Sequence, residues 1–321
     1  MAEAPDRTAR WVGPGVLLVF LTALVSGVST FVNAYAVHGT SSDAFVTIRN
    51  LTVAAFLVPL AILGGRGLSA RLRRIDWARL AVIGLVGGAV PFLLFFRGVQ
   101  LATVGGGAAT ASFGYRTLFL MAAVLALVFL RERLNARWFA AAALLLGGNA
   151  LLLALTSPIW TDGTAYVLAA TALWAAEYTL SKRTLRDLPS GTVGLGRMGF
   201  GAVFLSGYLA LTGQWGSVAG FSSAQWEWVA ISALLLTAFV ATWYAGLKRV
   251  DLGAATSVLV FGFPITWALG LAVKGGSLPL PAAAGAALVV VGAVLAVGLA
   301  SLRATATFLA EALGRRTPSA G

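Results

Sequence analysis

Cysteine is absent from the 321 residues, and histidine occurs once, at His38. The first absence excludes disulfides, thiolate chemistry and cysteine-based metal sites. The second leaves no His-ligated zinc or haem site to build. Charge is also scarce: Asp, Glu, Lys and Arg make up 11% of the chain, against about 25% in soluble domains. What fills the space is apolar. Hydrophobic residues reach 59% and the mean hydropathy is +0.89. A chain this apolar would present more hydrophobic surface than water tolerates. The composition excludes a soluble enzyme and a disordered chain, and indicates an all-α, multi-pass membrane protein.

Ten apolar stretches are each long enough to cross about 30 Å of hydrocarbon as a helix. We place them at 14–37, 44–64, 78–99, 103–129, 138–156, 164–181, 191–212, 227–247, 253–273 and 281–302. Residues 1–13 and 303–321 are then terminal tails. The first stretch is too long for the core of a signal peptide, about 7–15 residues, and reads as a helix.

The net charge of +12 would suggest nucleic acid on a soluble domain, but its distribution does not. With the N-terminus inside, 18 of the 23 basic residues fall in inner segments, and only Lys274 lies in an outer loop. This positive-inside bias predicts an inner (plasma) membrane protein with both termini cytoplasmic. It also removes nucleic acid as a partner.

The halves match at an offset of 148 residues. Arg49 falls on Arg197, Phe96-Arg97-Gly98 on Tyr244-Ala245-Gly246, and Phe113-Gly114-Tyr115 on Phe261-Gly262-Phe263. Each half (14–156 and 157–302) holds five stretches, an odd number, so the second half must enter the membrane inverted. Inverted repeats are the architecture of alternating-access transporters, with the site near the midplane. The alternative is a purely structural duplication.

The order of several short motifs resembles the EamA repeats of the drug/metabolite transporter superfamily. They are Leu130-Arg131-Glu132-Arg133-Leu134, Leu173-Trp174-Ala175-Ala176-Glu177, Trp243-Tyr244-Ala245-Gly246, and Pro264 in the ninth stretch. The resemblance spans roughly 14–302 and implies an exporter or exchanger of small metabolites. Two departures stand out. Arg116 occupies the place of a fourth-helix proline, and Arg131 that of the glycine usual before Glu132.

Five charged residues fall inside the stretches: Arg49, Arg97, Arg116, Glu177 and Arg197. A charge at the bilayer centre costs about 2.5–3.5 kcal/mol on insertion scales, so it faces a partner, water or a ligand. Arg116 lies mid-helix, about 20 Å from either end, where snorkelling cannot rescue it. It is the first candidate for a bidentate contact to a substrate carboxylate or phosphate; the alternative is internal neutralisation by helix carbonyls or Glu177. Glu177 and Arg197 have similar depths, so they read as an interhelical pair, or Glu177 as a proton-coupling group. Arg49 reads as a repeat-related anchor, and Arg97 as an anchor at the interface.

Tyr115, Trp174, Tyr178, Trp243, Tyr244, Phe263 and Trp267 are candidates to line an amphipathic cavity, or simply to pack. Ser26, Ser29, Thr30 and Asn33 share one helical face, serving either pathway or helix contact. Gly194–Gly199 fits G-x-G-x-x-G but lies in a predicted helix without a preceding strand, so it is not a dinucleotide site. Gly105–Gly107 and Gly253 are candidate flexible points.

The expectation is a transporter of an amino acid or other small carboxylate-bearing solute, with membrane lipids as neighbours and no cofactor or metal. A homodimer stays open. So do a flippase-like carrier of an anionic lipid and a non-transporting scaffold or sensor.

Overall fold

The computed structural model describes residues 9–36, 41–63, 72–104, 108–154, 160–274 and 279–314. Gly105–Gly107, His38 and the inner basic residues Arg7, Arg66, Arg71, Arg315 and Arg316 lie outside them. The described residues are predominantly helical, with no strands among them. Eight segments are long and apolar enough to cross a membrane: Gly13–Asn33, Ser42–Leu60, Arg74–Ala102, Ser112–Leu130, Ser190–Leu211, Ser223–Leu247, Leu252–Val273 and Leu280–Val297. Two further helices accompany them. Ala136–Leu152 is apolar but shorter, and Asp162–Thr184 is long but carries Glu177, Lys182 and Arg183.

In chain order the helices are α1 (Ala9–Ala36), α2 (Ser42–Leu63), α3 (Arg74–Ile83), α4 (Val90–Val104), α5 (Ala108–Arg116), α6 (Leu118–Leu125), α7 (Ala136–Leu152) and α8 (Asp162–Thr184). They continue as α9 (Ser190–Leu211), the single turn α10 (Gly216–Ala219), α11 (Ser223–Leu247), α12 (Leu252–Leu259), α13 (Gly262–Lys274), α14 (Leu280–Val297) and α15 (Leu299–Gly314). π-Helical turns at Gly84–Ala89 and Ala126–Leu130 join α3 to α4 and extend α6.

Several expected helices are not continuous. The stretch expected at 103–129 breaks at Thr117, where its amide and hydroxyl both donate to the Gly114 carbonyl, at 3.2 and 2.6 Å. That tight turn replaces the next α-helical bond. The stretch at 253–273 breaks at Val260–Phe261. Pro264 explains it: the ring has no N–H for the Val260 carbonyl four residues earlier and would collide with it. The Phe263 amide takes that carbonyl instead. The last expected helix ends earlier than 302, at Val297. Gly298 follows at φ 85°, a left-handed conformation that glycine adopts without strain. The residues from Leu299 on, expected in part as a tail, form α15 against α1, where the Thr305 hydroxyl donates to the Gly13 carbonyl.

The most extensive packing pairs are α7 with α14, α1 with α11, α4 with α8, and α2 with α9. α1 also packs on α12 and α13, as α8 packs on α5 and α6. At Gly148 and Gly285 the α7 and α14 backbones approach so closely that a Cβ on either would stand 2.6 Å from the other's carbonyl oxygen. Small residues at such crossings are how membrane helices pack without a hydrophobic drive between them. The outer surface stays apolar, with Leu211, Leu280, Val203 and Leu234 exposed, as a lipid-facing belt requires.

Candidate functional site

The π-turn Gly84–Ala89 organises the first cluster. A π-turn departs from the regular i→i−4 bonding pattern and is frequent at functional sites. Here the Gly87 carbonyl accepts from Arg197 Nη2 at 3.0 Å and from Trp174 Nε1 at 3.1 Å. The Gly88 carbonyl accepts from Asn50 Nδ2 at 3.0 Å. A Cβ on Gly87 would collide with the Glu177 side chain, so only glycine lets α8 come this near.

Glu177, fully buried on α8, faces that turn. Its Oε1 accepts from the Ser181 hydroxyl at 2.5 Å and from Tyr244 Oη at 2.7 Å. Its Oε2 lies 3.4 Å from Arg197 Nε, an ion pair that links α8 to α9. Tyr244 brings in α11. Arg49, also buried, has no carboxylate partner among the described residues. Its Nε and Nη2 donate to Asn50 Oδ1 at 3.2 and 3.1 Å, and its guanidinium lies over the rings of Phe92 and Phe96. Arg197 reaches the same Phe92 ring, at 5.9 Å.

A second cluster surrounds Arg116, the last residue of α5. It is only 7% exposed. The guanidinium sits 4.5 Å over the Phe263 ring and 5.3 Å from that of Tyr115. No carboxylate pairs with it among the described residues, and its Nε has no hydrogen-bond partner. It lines a narrow, partly open cleft with Ser26, Tyr115, Leu118, Thr256 and Val260, whose accessible volume is about 20 Å³. That is room for about one water in this conformation, so a solute would enter only as the surrounding helices part. Both broken helices border the cleft. An aromatic bridge joins the two clusters, because Trp174 lies 5.5 Å from Tyr115 and packs on Phe92 and Phe95.

The structure separates the other candidates. Phe263 and Tyr115 belong to the Arg116 cleft, whereas Trp174 and Tyr244 hold the buried ion-pair cluster. Tyr178 packs on Trp243 with ring centroids 4.6 Å apart. Trp267 packs against an apolar cluster of α6, α7, α13 and α14 that shares Phe263 and Val260 with the cleft. Asn33 is tied to α11, its Oδ1 accepting from Ser232 at 2.6 Å. Gly194–Gly199 lies within α9, where Gly194 makes room for Val240 and Tyr244. Ser181 and Gly87 escape a reading of the sequence. Ser181 has a signal, lying one turn after Glu177, but Gly87 has only the general glycine pattern of Gly84 and Gly88.

A third contact closes one end of the bundle. Glu132, just past the π-turn Ala126–Leu130, accepts from the amides of Leu252 and Gly253 at 2.8 and 3.1 Å. A carboxylate there satisfies free amides at the start of α12 and complements the helix dipole. Burial nonetheless holds the Glu132 carboxyl above its ordinary value, with the two amides opposing. Gly253 is thereby anchored. Arg131, directly before, has φ 59°. The left-handed region suits glycine and strains other residues, which gives a physical reason for glycine at that place.

No curated protein matches the chain. A solved structure titled only "Crystal structure of protein" is similar at a TM-score of 0.71. It shares 19% identity over 88% of this chain and 97% of its own, a likeness of fold alone. The EamA-like transporter family matches residues 13–154 and again 162–298. That family is one of transporters, not of enzymes, and its two copies take in both helix sets and both clusters. A multi-pass chain of apolar helices, with two such matches in tandem, belongs to the EamA-like transporter family.

Proposed function

We propose that the chain moves a small carboxylate-bearing solute across the inner membrane by alternating access, as an exporter or exchanger. The observation that carries this reading is Arg116. A buried guanidinium without a counter-ion is costly in hydrocarbon; Arg116 has none among the described residues and borders a cleft between α1, the α5–α6 break and the α12–α13 break. Discontinuous helices in corresponding places of two halves mark the binding region of many secondary transporters. The α8 and α9 pair would act as the fixed framework beside it.

Ten spans in two inverted five-helix repeats, with both termini inside, are part of the same proposal. Exchange of the halves maps the α1–α11 contact onto α8–α4, and maps α2–α9 and α7–α14 onto themselves. This pairing supports the repeat, and the basic-residue bias supports the orientation.

Purified protein in proteoliposomes, loaded with a carboxylate panel and assayed for counterflow, tests the function. Saturable uptake that Arg116→Gln abolishes supports it. Absence of flux for every carboxylate tested refutes it. Ser69→Cys and Ser277→Cys should label from opposite sides, which tests the orientation.

A further inference from the structure

We infer that the Arg116 cleft selects apolar monocarboxylates that lack an α-ammonium, and discriminates against zwitterionic amino acids. This inference rests on the carboxylate reading above and narrows it. Acids are scarce near the cleft. Of the eleven acidic residues, ten lie in terminal stretches, loops or helix ends. The eleventh, Glu177, is held by Ser181 and Tyr244 through Oε1 and ion-paired with Arg197 through Oε2.

An amino acid carries its ammonium within about 3 Å of its carboxylate, two bonds away. If Arg116 holds the carboxylate, the ammonium must lie beside Arg116 too. There it meets a cation and, in the lining, only the neutral hydroxyls of Ser26, Tyr115 and Thr256. The Thr256 hydroxyl already donates to the carbonyls of Leu252 and Gly253. A buried charge without an opposite partner is strongly disfavoured. Like charges set close together oppose binding as well.

The wider field points the same way. Among the described residues, the buried charges are Arg49, Arg116 and Arg197 against Glu177 and Asp76, and Asp76 is already paired with Arg73 and Arg79. The interior therefore holds positive charge in excess, and a monoanion offsets part of it where a zwitterion offsets none. The remaining wall is apolar, from Leu118, Leu259 and Val260, and the Phe263 and Tyr115 rings lie against the guanidinium. Once the cleft opens, such a wall offers apolar contact to a short hydrocarbon tail behind the carboxylate.

The test compares solutes of one shape on the purified full chain in detergent. 4-Methylpentanoate, leucine and 4-methylpentanamide are titrated calorimetrically, and so are 3-phenylpropionate and phenylalanine. The monocarboxylates should bind at least about tenfold more tightly than the matching amino acids, a difference of about 1.4 kcal/mol. Arg116→Gln should abolish the preference for 4-methylpentanoate over 4-methylpentanamide. Since Gln fills similar space without a buried charge, a Tm at or above that of the parent confirms that the variant is folded, and Arg116→Lys provides a second, charge-retaining variant.

Leucine or phenylalanine binding as tightly as its deaminated analogue overturns the selectivity, yet leaves the carboxylate reading standing. Equal binding of acid and amide, or no binding of either, overturns both.

Discussion

Glu177→Gln and Arg197→Met form the first perturbation. In the parent, Glu177 Oε1 takes two hydroxyl bonds, and Oε2 faces Arg197 Nε at 3.4 Å. The amide of the Glu177→Gln variant can keep the two hydroxyl bonds, worth about 1 kcal/mol each. It turns a neutral group toward a guanidinium that then has only the Gly87 carbonyl. Breaking one side of a buried pair costs about 3–5 kcal/mol, because the other charge stays behind unpaired. Arg197→Met leaves Glu177 similarly stranded, though its hydroxyl donors soften the loss. Each single variant should therefore lose about 3 kcal/mol. The double variant removes both charges and should lose markedly less than their sum, with a coupling energy of about 2 kcal/mol or more. Reversible unfolding of purified protein in mixed micelles measures all four corners of the cycle. Additive losses, or singles within about 0.5 kcal/mol of the parent, would refute the pairing argument.

Three further outcomes follow from the geometry. Arg131→Gly should stabilise the chain by about 1 kcal/mol, since φ 59° strains arginine and not glycine; a lower Tm would contradict this. Gly87→Ala should destabilise strongly because its Cβ meets Glu177, while Gly207→Ala, with open space around it, should be neutral or slightly stabilising; equal Tm values for the two would remove the close-approach argument. Burial raises the Glu132 carboxyl, so its contribution to stability is fully present below its unfolded pKa and fades as pH rises through the higher folded value. The Tm difference between the parent and Glu132→Gln should therefore shrink with rising pH across the range above ordinary carboxylates. A difference that grows with pH would show that the two α12 amides outweigh burial.

Much of this arrangement is legible in the sequence. Hydropathy alone locates the apolar helices, because crossing a bilayer demands long uninterrupted runs. Depth along two neighbouring stretches places Glu177 and Arg197 at one level, and the structure holds them 3.4 Å apart. The interruptions are less legible. The break at Thr117 depends on a local hydroxyl–carbonyl bond to Gly114, with no proline to announce it. The break before Pro264 has a proline, but an apolar run reads as continuous through a kink. Aromatic residues are the weakest guide. Trp174, Tyr178 and Tyr244 are all buried, but the Trp174 ring nitrogen is spent on Gly87, Tyr178 packs on Trp243, and the Tyr244 hydroxyl is spent on Glu177. A linear pattern does not say which face of a wholly apolar helix turns inward, since lipid and protein core demand the same side chains.

At the centre of the account stands the Arg116 guanidinium, held for a solute's carboxylate. Calorimetric affinity for one apolar monocarboxylate, measured on the parent, Arg116→Lys and Arg116→Met, tests it most directly. A charge-assisted contact is worth about 1.5–3 kcal/mol. Arg116→Met should therefore weaken binding by about tenfold to a hundredfold, with Arg116→Lys between. The empty Arg116→Met protein should be as stable as the parent or more so, since a buried charge without a partner has been replaced by an apolar side chain. Unchanged affinity in Arg116→Met, or a large loss of its stability without ligand, would show that Arg116 serves the fold and not the solute.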